Sequence, residues 1–458
     1  MTDCRIAHAQ LAVFLLLTAV GCGAGRQDNY EPGALISSAQ VAPAASAQQT
    51  PVTSEAELAK ATRLDAILML ALARNPQLAE ARERIHAAAA RSNAVGRLPD
   101  LELKYEQWHV PLQRPWDLGK ANMLMVGVRQ SLPAPGVLKA RTHAAQEDTR
   151  ASAAGLRMRS LDLVREAQDA FFAYYGADRE AAVLQELTQL ARQIVELAQA
   201  NYRVGRASQQ DVMRARLELS RLSTEVVRVK QERRSAQARI NTLIARPEDA
   251  LLGPPVEIAL DSADDAVGTA SAAEERRPEI ESGRRGVARS EAALQEARAA
   301  ANWPGLTLGI DYMYVPQADM RHGYGAMVAL TLPWLNPRYR AEVRNAERSQ
   351  AAEAQALESM RLQVRYELAD ARARYQAARE TLRILDNDLL PEARQNYDAA
   401  QAAFTSGQGD GLALLDALRS YLSVRIEQVR ARARVGSTLA GLERAAGRVP
   451  ASIAQPAR

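Results

Sequence analysis

The amino-acid sequence predicts a mainly α-helical protein with a small transmembrane β part, arranged as two tandem repeats. Long stretches rich in Ala, Leu, Arg and Glu contain almost no Gly or Pro. These stretches are broken at two similar places, "NYRVGRASQQDV" from Asn201 and "NYDAAQAAFTSGQGDG" from Asn396. Four short segments alternate apolar and polar residues, as half-buried strands do. Each repeat is therefore predicted to contain a β-hairpin and a long coiled-coil helical hairpin.

The composition favours long helices that pack through small residues. Apolar residues make up 47% of the 458-residue chain, but aromatic residues only 5%. The net charge is +4, and Arg alternates with Glu and Asp along the helical stretches. A nucleic-acid interface needs basic residues gathered on one face or tail. No nucleic-acid partner is therefore predicted.

The first residues predict export and a lipid anchor. Residues 1–21 have the features of a lipoprotein signal peptide. Their apolar run, from Leu11 to Val20, is typical of a signal peptide and too short to span a bilayer. The small residues before Cys22 resemble a bacterial lipoprotein cleavage box, in which the Cys becomes acylated. An ordinary secretory signal with an incidental Cys22 is the alternative. Residues 22–57, rich in Ala, Ser, Gln and Pro, are predicted to form a flexible tether.

The landmarks of the chain occur twice in the same order. Each half begins with a Pro-marked, Ala-rich helix, followed by two alternating segments, a Leu-Pro pair, a long helix and a Gly-containing break. The spacing from Pro133 to Gly205 nearly equals that from Pro333 to Gly407. Such ordered landmarks indicate an internal duplication. The predicted units are repeat 1 (58–246), an inter-repeat linker (247–275), repeat 2 (276–446) and a C-terminal tail (447–458).

The four alternating segments are the strand candidates. They cover about 100–112, 121–133, 305–316 and 324–334. In the first, Leu101, Leu103 and Tyr105 lie on one face and charged residues on the other. Tilted strands of about ten residues cross a bilayer, which favours transmembrane hairpins. Four strands cannot close a barrel alone, so their edges would have to pair with other copies. A small sheet that caps a helical domain is the alternative.

Each long helix is predicted to turn back at its break and pair with the returning helix. Apolar residues recur at alternating spacings of three and four on both arms, as in a coiled coil. Gly205 supplies a permissive backbone at the first turn, and Ser208 or Asp211 can cap the returning helix. The hairpin tips are therefore predicted at 203–209 and 405–411.

Several ordered motifs resemble the TolC family of outer-membrane efflux ducts over roughly Leu58 to Ala446. They include "RNPQL", "SLPAPGVLKAR", "YRVGRASQQDV", "NWPGLTLGIDY" and "LALLDALRSYL". The resemblance implies a homotrimer that shares one 12-stranded β-barrel in the outer membrane, continued by an α-helical barrel in the periplasm. It also implies two partners: a periplasmic adaptor (membrane fusion protein) and an inner-membrane pump of the resistance-nodulation-division type.

The resemblance further implies roles for individual residues. Adaptor contacts are expected at the tips, at Val204, Gly205, Arg206, Ala207, Ser208, Ser406, Gly407, Gly409 and Gly411. Family members carry an acidic pore constriction nine residues after the second tip Gly, where this chain has Asp416, and Asp410 on the turn is a second candidate. The alternatives are that Asp416 is a solvated carboxylate or pairs with Arg419, and that the tips merely reverse the chain.

The cargo is suggested by similarity to the heavy-metal branch of the family, the CusC- and CzcC-like ducts. Met320 and His322 are possible soft-metal ligands, but two isolated ligands do not define a metal site. No metal site and no cofactor are therefore predicted. The predicted function is an outer-membrane duct of a tripartite efflux system, with heavy-metal cations as a possible cargo.

The same residues argue against other classes of function. The five His are scattered, and the sequence has neither a glycine-rich phosphate loop nor a Ser/His/Asp arrangement, so no enzyme is predicted. The alternatives are a duct for multidrug efflux or type I protein secretion, and a periplasmic coiled-coil adaptor. Adaptors usually carry one helical hairpin, whereas two are predicted here.

Overall fold

The computed structural model describes residues 30–40, 55–108, 121–205, 207–257, 270–315, 322–406, 408–409 and 411–450. Helices dominate these residues, which confirms the mainly helical prediction, and all of their named strands belong to one antiparallel sheet. No helix in these ranges is long and apolar enough to cross a membrane. The predicted lipidation residue, Cys22, lies outside the described residues.

Both halves contain a helix, two strands and a long helical hairpin in the same order. The first half contains α1 (Gly33–Ala39), α2 (Glu55–Lys60), α3 (Leu64–Arg74), α4 (Pro76–Val95), β1 (Glu102–Trp108), β2 (Met123–Leu132), α5 (Val137–Arg203) and α6 (Gln209–Leu243). The second contains α7 (Ala270–Arg276), α8 (Pro278–Asn302), β3 (Gly305–Tyr314), β4 (His322–Thr331), a 3-10 turn (Pro333–Leu335), α9 (Pro337–Ile384), a π-helical turn (Leu385–Leu389), α10 (Leu390–Thr405) and α11 (Gly411–Ala445).

Proline and asparagine set the starts of two of these helices. Asn75 precedes Pro76, and its Oδ1 accepts a hydrogen bond from the backbone N–H of Gln77 at 2.9 Å. Asn336 caps α9 in the same way, with 3.0 Å to the N–H of Arg338. Pro at the first helical position loses no hydrogen bond, and Asn satisfies one of the free N–H groups. The two helices that flank the strands therefore begin at positions fixed by local sequence.

A short helix occupies part of the predicted flexible tether. Leu35 and Ile36 of α1 pack against the main hydrophobic core, and Ala39 is buried. The backbone N–H of Tyr30 donates to Asn93 Oδ1 at 2.9 Å. The prediction of a flexible tether over residues 22–57 is therefore wrong for this stretch, because Leu35, Ile36 and Ala39 form one helical face that packs on α5.

The sheet has the order β1-β2-β3-β4, so that β2 and β3 join the two halves. In one row across the four strands, Tyr105 pairs with Val126, Val126 with Tyr312, and Tyr312 with Tyr324. The apolar face of this sheet is exposed in the single chain: Leu103, Tyr105, Val126, Tyr312, Tyr324, Val328 and Leu330. The opposite face carries the charged side chains, so the faces differ as the alternating sequence predicts.

The observed strands are shorter than the predicted segments. β1, β2 and β3 lie inside the predicted ranges, whereas β4 begins at His322, two residues before the predicted start at 324. Its start is earlier because His322 pairs with Tyr314 at the end of β3. Residues 109–120 and 316–321, which connect the paired strands, lie outside the described residues.

The outbound helix of the second hairpin is not continuous, unlike α5. A π-helical turn separates α9 from α10 just before Pro391. Proline has no N–H to donate, and in a regular α-helix its ring clashes with the carbonyl group four residues earlier. The wider π turn relieves this clash. The turn is tied to α11, because Asp386 Oδ1 accepts a hydrogen bond from Gln428 Nε2 at 2.6 Å. This interruption was not predicted from the sequence.

The two halves meet where α5 crosses α11. A Cβ atom on Gly436 would lie 2.2 Å from the ring of Phe172, and one on Gly176 would lie 3.0 Å from Ala433 Cβ. Phe172 is buried and packs edge-on against Phe171. The glycines therefore let the helices approach more closely than any larger residue would allow.

We predict that Gly436→Ala destabilises the protein, because the added methyl group must displace the buried Phe172 ring at a cost of about 1–3 kcal/mol. Gly441→Ala is the matched control: it lies in the same helix, and nothing is within 4 Å of its Cβ position. Thermal denaturation followed by circular dichroism should show a lower Tm only for the first variant. Equal Tm values for both variants would contradict the close crossing.

Candidate functional site at the hairpin tips

The first tip is a tight turn with a capped returning helix. After α5 ends at Arg203, Gly205 adopts a φ of 74°, which L side chains rarely take. Ser208 Oγ accepts a hydrogen bond from the N–H of Asp211 at 3.2 Å, and Asp211 Oδ2 accepts one from the N–H of Ser208 at 2.9 Å. The two residues form a reciprocal capping box. Val204 projects into solvent, with 67% of its surface exposed.

The second tip folds back on the end of α10. The N–H groups of Gln408 and Gly409 both donate to the carbonyl oxygen of Ala403, at 3.0 and 2.9 Å. A Cβ atom on Gly409 would lie 2.8 Å from the backbone N of Phe404, so only Gly fits there. Ser406 is exposed. Three tip residues singled out in the sequence lie outside the described residues: Arg206, Gly407 and Asp410.

The two tips touch each other within one chain. The Cβ position of Gly411 lies 3.3 Å from Asp211 Cγ and 3.4 Å from the ring of Phe404. Phe404 itself is buried. The capping carboxylate of the first hairpin therefore packs against the first residue of α11, and the tips form one continuous surface. The sequence offers no signal for this contact, since it joins residues far apart in the chain.

An arginine connects the hairpins near this surface. Arg419 Nε donates to Glu218 Oε2 on α6 at 2.8 Å, and its guanidinium lies 3.6 Å from Asp416 Oδ1. The Asp416 side chain is 62% exposed, whereas that of Glu218 is 10% exposed. The structure thus contains the Arg419 contact that was the alternative for Asp416, at a distance that leaves the carboxylate open to solvent. Glu218 was not identified from the sequence.

Asp416 belongs to an exposed polar stripe of α11. The opposite face of the helix is apolar and buried through Leu414, Leu415, Leu418 and Leu422. The stripe consists of exposed residues three or four apart: Ala413, Asp416, Ser420, Ser423 and Glu427. Residues at this spacing share one face of a helix. This small, hydrophilic surface is suitable for lining a water-filled passage.

A buried carboxylate holds the hairpin shafts together farther from the tips. Glu180 of α5 accepts hydrogen bonds from Arg228 of α6 at 2.6 Å and from Arg430 of α11 at 2.7 Å. Burial alone raises the pKa of Glu180, but the hydrogen bonds and charges of Arg430 and Arg228 outweigh it and hold the pKa below its usual range. The carboxylate therefore remains ionised and joins three helices at neutral pH.

Of the two possible metal ligands noted in the sequence, His322 is described, and it contacts two tyrosines. Nδ1 of His322 is hydrogen-bonded to the hydroxyl group of Tyr312, and the imidazole lies at a tilt of 40° to the ring of Tyr314, with 5.3 Å between ring centroids. Met320 lies outside the described residues. Within the described part of the chain, no group of three or more His, Cys, Asp or Glu residues is placed to hold a metal ion.

The chain thus consists of two tandem units, each with a β-hairpin and a long helical hairpin. The family model for outer membrane efflux proteins matches residues 67–246 and 269–448, one match in each half. The chain belongs to the outer membrane efflux protein family, the group that the sequence resemblance indicated. Its members are efflux channels of the outer membrane, which favours the duct over the adaptor alternative. A search of curated protein sequences finds no match.

Solved structures of such channels share this fold. The outer-membrane channel OprN has a TM-score of 0.74 and 21% identity, with 84% of this chain and 89% of that chain covered. VceC from Vibrio cholerae has a TM-score of 0.71 and 18% identity, with 84% and 96% covered. CusC has a TM-score of 0.72 and 17% identity, with 84% and 92% covered. These similarities establish the fold of the chain. At sequence identities of 21% or less, they do not show which cargo it carries.

Proposed function

We propose that three copies of this chain form the outer-membrane duct of a tripartite efflux system. The main support for this proposal comes from the sheet. Its apolar face is exposed, and each of its two outer strands, β1 and β4, has a neighbour on one side only among the described strands. β1 pairs only with β2, and β4 only with β3, among the described strands. Backbone N–H and C=O groups inside a bilayer have no water to bond, so the open edges need partners.

Pairing β4 of one copy with β1 of the next satisfies both edges. Three copies give a closed barrel of 12 strands, with the apolar faces toward lipid and the charged faces toward the lumen. The long helical hairpins of the three copies then extend together from one end of this barrel and form a tunnel. Their tips lie at the end of the tunnel that is farthest from the membrane. In this arrangement a periplasmic adaptor meets the tips, and a pump of the resistance-nodulation-division type supplies the cargo.

The proposed cargo is heavy-metal cations, on the basis of the resemblance to the CusC- and CzcC-like branch. Multidrug efflux and type I protein secretion use ducts of the same architecture and remain the alternative cargoes. A water-filled passage lined by small polar residues accepts all of these, so the duct itself imposes little selection. Cargo is therefore decided by the pump and the adaptor.

The duct is also proposed to be lipid-anchored through Cys22 after removal of residues 1–21. Mass spectrometry of the mature protein should find a diacylglyceryl-modified Cys22 at the N-terminus. Cys22→Ser should lose the lipid, while trimers still insert through the barrel. A mature N-terminus at any other residue would rule out this anchor.

The tips are the proposed adaptor contact. Gly205→Trp, or Ser208→Arg, should abolish metal resistance in cells that depend on this duct, because a bulky group blocks the approach of the partner helices. The measurement is growth on graded metal salts, together with the yield of trimer in outer-membrane extracts. Thr224→Arg, an exposed position farther along α6, is the control and should leave resistance unchanged. Normal resistance in the tip variants would reject the contact.

Asp416 is the proposed pore constriction. Three copies facing the tunnel axis would concentrate negative charge, attract cations and restrain opening through Arg419. Asp416→Ala should raise single-channel conductance in planar bilayers and weaken the block by divalent cations. Asp410→Ala should have a smaller effect. Glu427→Ala, on the same stripe of α11 but farther from the tip, is the control.

Unchanged conductance and unchanged cation block in Asp416→Ala would mean that the carboxylate faces away from the passage. The gate would then have to be formed by other residues of the tip surface. An equal response in Glu427→Ala would instead show a general effect of the charge along the tunnel, not a constriction at Asp416.

A further inference from the structure

The beginning of α9 carries positive charge that its own acidic residues do not neutralise. Its first twelve residues contain four arginines and two glutamates. Both glutamates are paired, Glu342 with Arg338 at 2.7 Å and Glu347 with Arg298 of α8 at 3.0 Å. The other three arginines are exposed and form no ion pair with a described residue: Arg340, Arg344 and Arg348. We call these three residues the arginine stripe.

The spacing of the arginine stripe makes its charges repel one another. The three residues are four apart in sequence, so they share one side of the helix. Like charges at this spacing weaken a helix. Among the described residues of the same chain, no carboxylate is placed to offset this repulsion. A negatively charged partner from outside the chain would therefore stabilise this end of α9.

The arginine stripe lies at the membrane end of the helical shaft. α9 begins six residues after the end of β4, and the exposed Trp303 and Trp334 flank the bases of β3 and β4. Tryptophan at such positions is typical of the boundary between acyl chains and headgroups. Arg340 and Arg348 lie about 5 and 17 Å along the helix from Pro337, at 1.5 Å per residue. The headgroup region is roughly 5–8 Å thick, so the stripe begins within it and continues just below, within reach of long side chains.

A neighbouring copy would not supply the missing negative charge. Within one chain α4 packs on α5, α5 on α8 and α8 on α9, so α4 and α9 form opposite edges at this level. Pairing of β4 with β1 of the next copy therefore brings α9 beside the α4 of that copy. No Asp or Glu occurs between residues 84 and 99, whereas Arg91 and Arg97 are exposed and have no ion pair among the described residues. The joint between two copies thus gains further positive charge.

The N-terminal segment indicates which side of α4 meets the lipid. The N–H of Tyr30 donates to Asn93 Oδ1 at 2.9 Å, near the membrane end of α4. Cys22, the proposed site of lipid attachment, precedes Tyr30 by eight residues, which span at most about 28 Å. Because an attached lipid lies in the membrane and not in the lumen, the surface around Asn93 would face outward. Arg97 follows Asn93 by four residues and lies toward the same side.

We propose that the arginine stripe of one copy and Arg97 of the next form a binding surface for anionic phospholipid headgroups at the periplasmic face of the outer membrane. The proposal rests on the proposed function, because the closed barrel brings these residues together and sets the level of the membrane. Guanidinium groups bind phosphate through two parallel hydrogen bonds. A zwitterionic headgroup brings its own positive charge, so an anionic headgroup is preferred. Each trimer would carry three such surfaces.

The test measures lipid retention by native mass spectrometry of the full-length trimer in detergent. The probes are phosphatidylglycerol and phosphatidylcholine with the same acyl chains. The wild type should retain more phosphatidylglycerol. Replacing Arg340, Arg344 and Arg348 together by Gln should weaken phosphatidylglycerol binding by about tenfold or more, since each Arg near an anionic surface adds a several-fold attraction. Binding of phosphatidylcholine should not change. Replacing the same three residues by Lys keeps the charge and should keep most of the preference.

The matched control replaces three other exposed arginines by Gln, far from the membrane end of the shaft. They form no ion pair with a described residue: Arg192, Arg203 and Arg216. This variant loses the same charge and should keep the preference for phosphatidylglycerol. Arg344→Gln alone should give a smaller loss in the same direction, which keeps the test valid if the triple Gln variant forms no trimer. Equimolar inorganic phosphate should not displace the lipid.

Equal retention of phosphatidylglycerol by the wild type and the stripe variants would overturn the lipid surface alone, provided that all of them form conducting trimers in planar bilayers. Displacement by inorganic phosphate would assign the site to free phosphate and overturn the assignment to lipid. A changed ratio of cation to anion permeability in the Gln variant, with unchanged lipid retention, would place the stripe in the lumen. A wild-type protein that forms no conducting trimer would instead overturn the proposed function.

Discussion

The close crossing of α5 and α11 is the constraint on which the rest of the structure depends. Phe172 lies directly on Gly436, and one turn farther Gly176 faces Ala433. Because these helices belong to different repeats, their contact turns two similar units into one body. The buried Glu180 pairs with Arg430 along the same crossing. An apolar contact through glycine sets the distance between the helices, and the ion pair sets their register.

Fixing the shafts also fixes the tips. With α5 and α11 in contact, α6 and α10 are brought to the same end of the molecule, where Gly411 meets Asp211. Arg419 then reaches both Glu218 and Asp416. A partner that displaces the first tip therefore acts on the same arginine that lies beside the proposed gate. Under the proposed function, recognition by the adaptor and opening of the gate would be coupled through this guanidinium.

The sequence was informative where structure follows from local pattern. Alternation predicted the strands, three-four spacing predicted the hairpins, and Gly205 with Ser208 and Asp211 marked the first tip. Much of what it missed depends on contacts between residues far apart in the chain, such as Glu218 with Arg419. The helix from Gly33 to Ala39 was missed for a related reason. Its composition resembles a linker, and only packing on α5 makes the helical conformation favourable.

The two repeats differ at one point that concerns the gate. α5 runs for 67 residues without a break, whereas the equivalent path in the second repeat is interrupted by the π turn before Pro391. Helices bend most readily at such interruptions. The turn contacts α11 through Gln428, and α11 is the helix that carries Asp416. The hairpin that bears the proposed constriction is therefore the one with an interruption at which it can bend, and it packs against the uninterrupted α5.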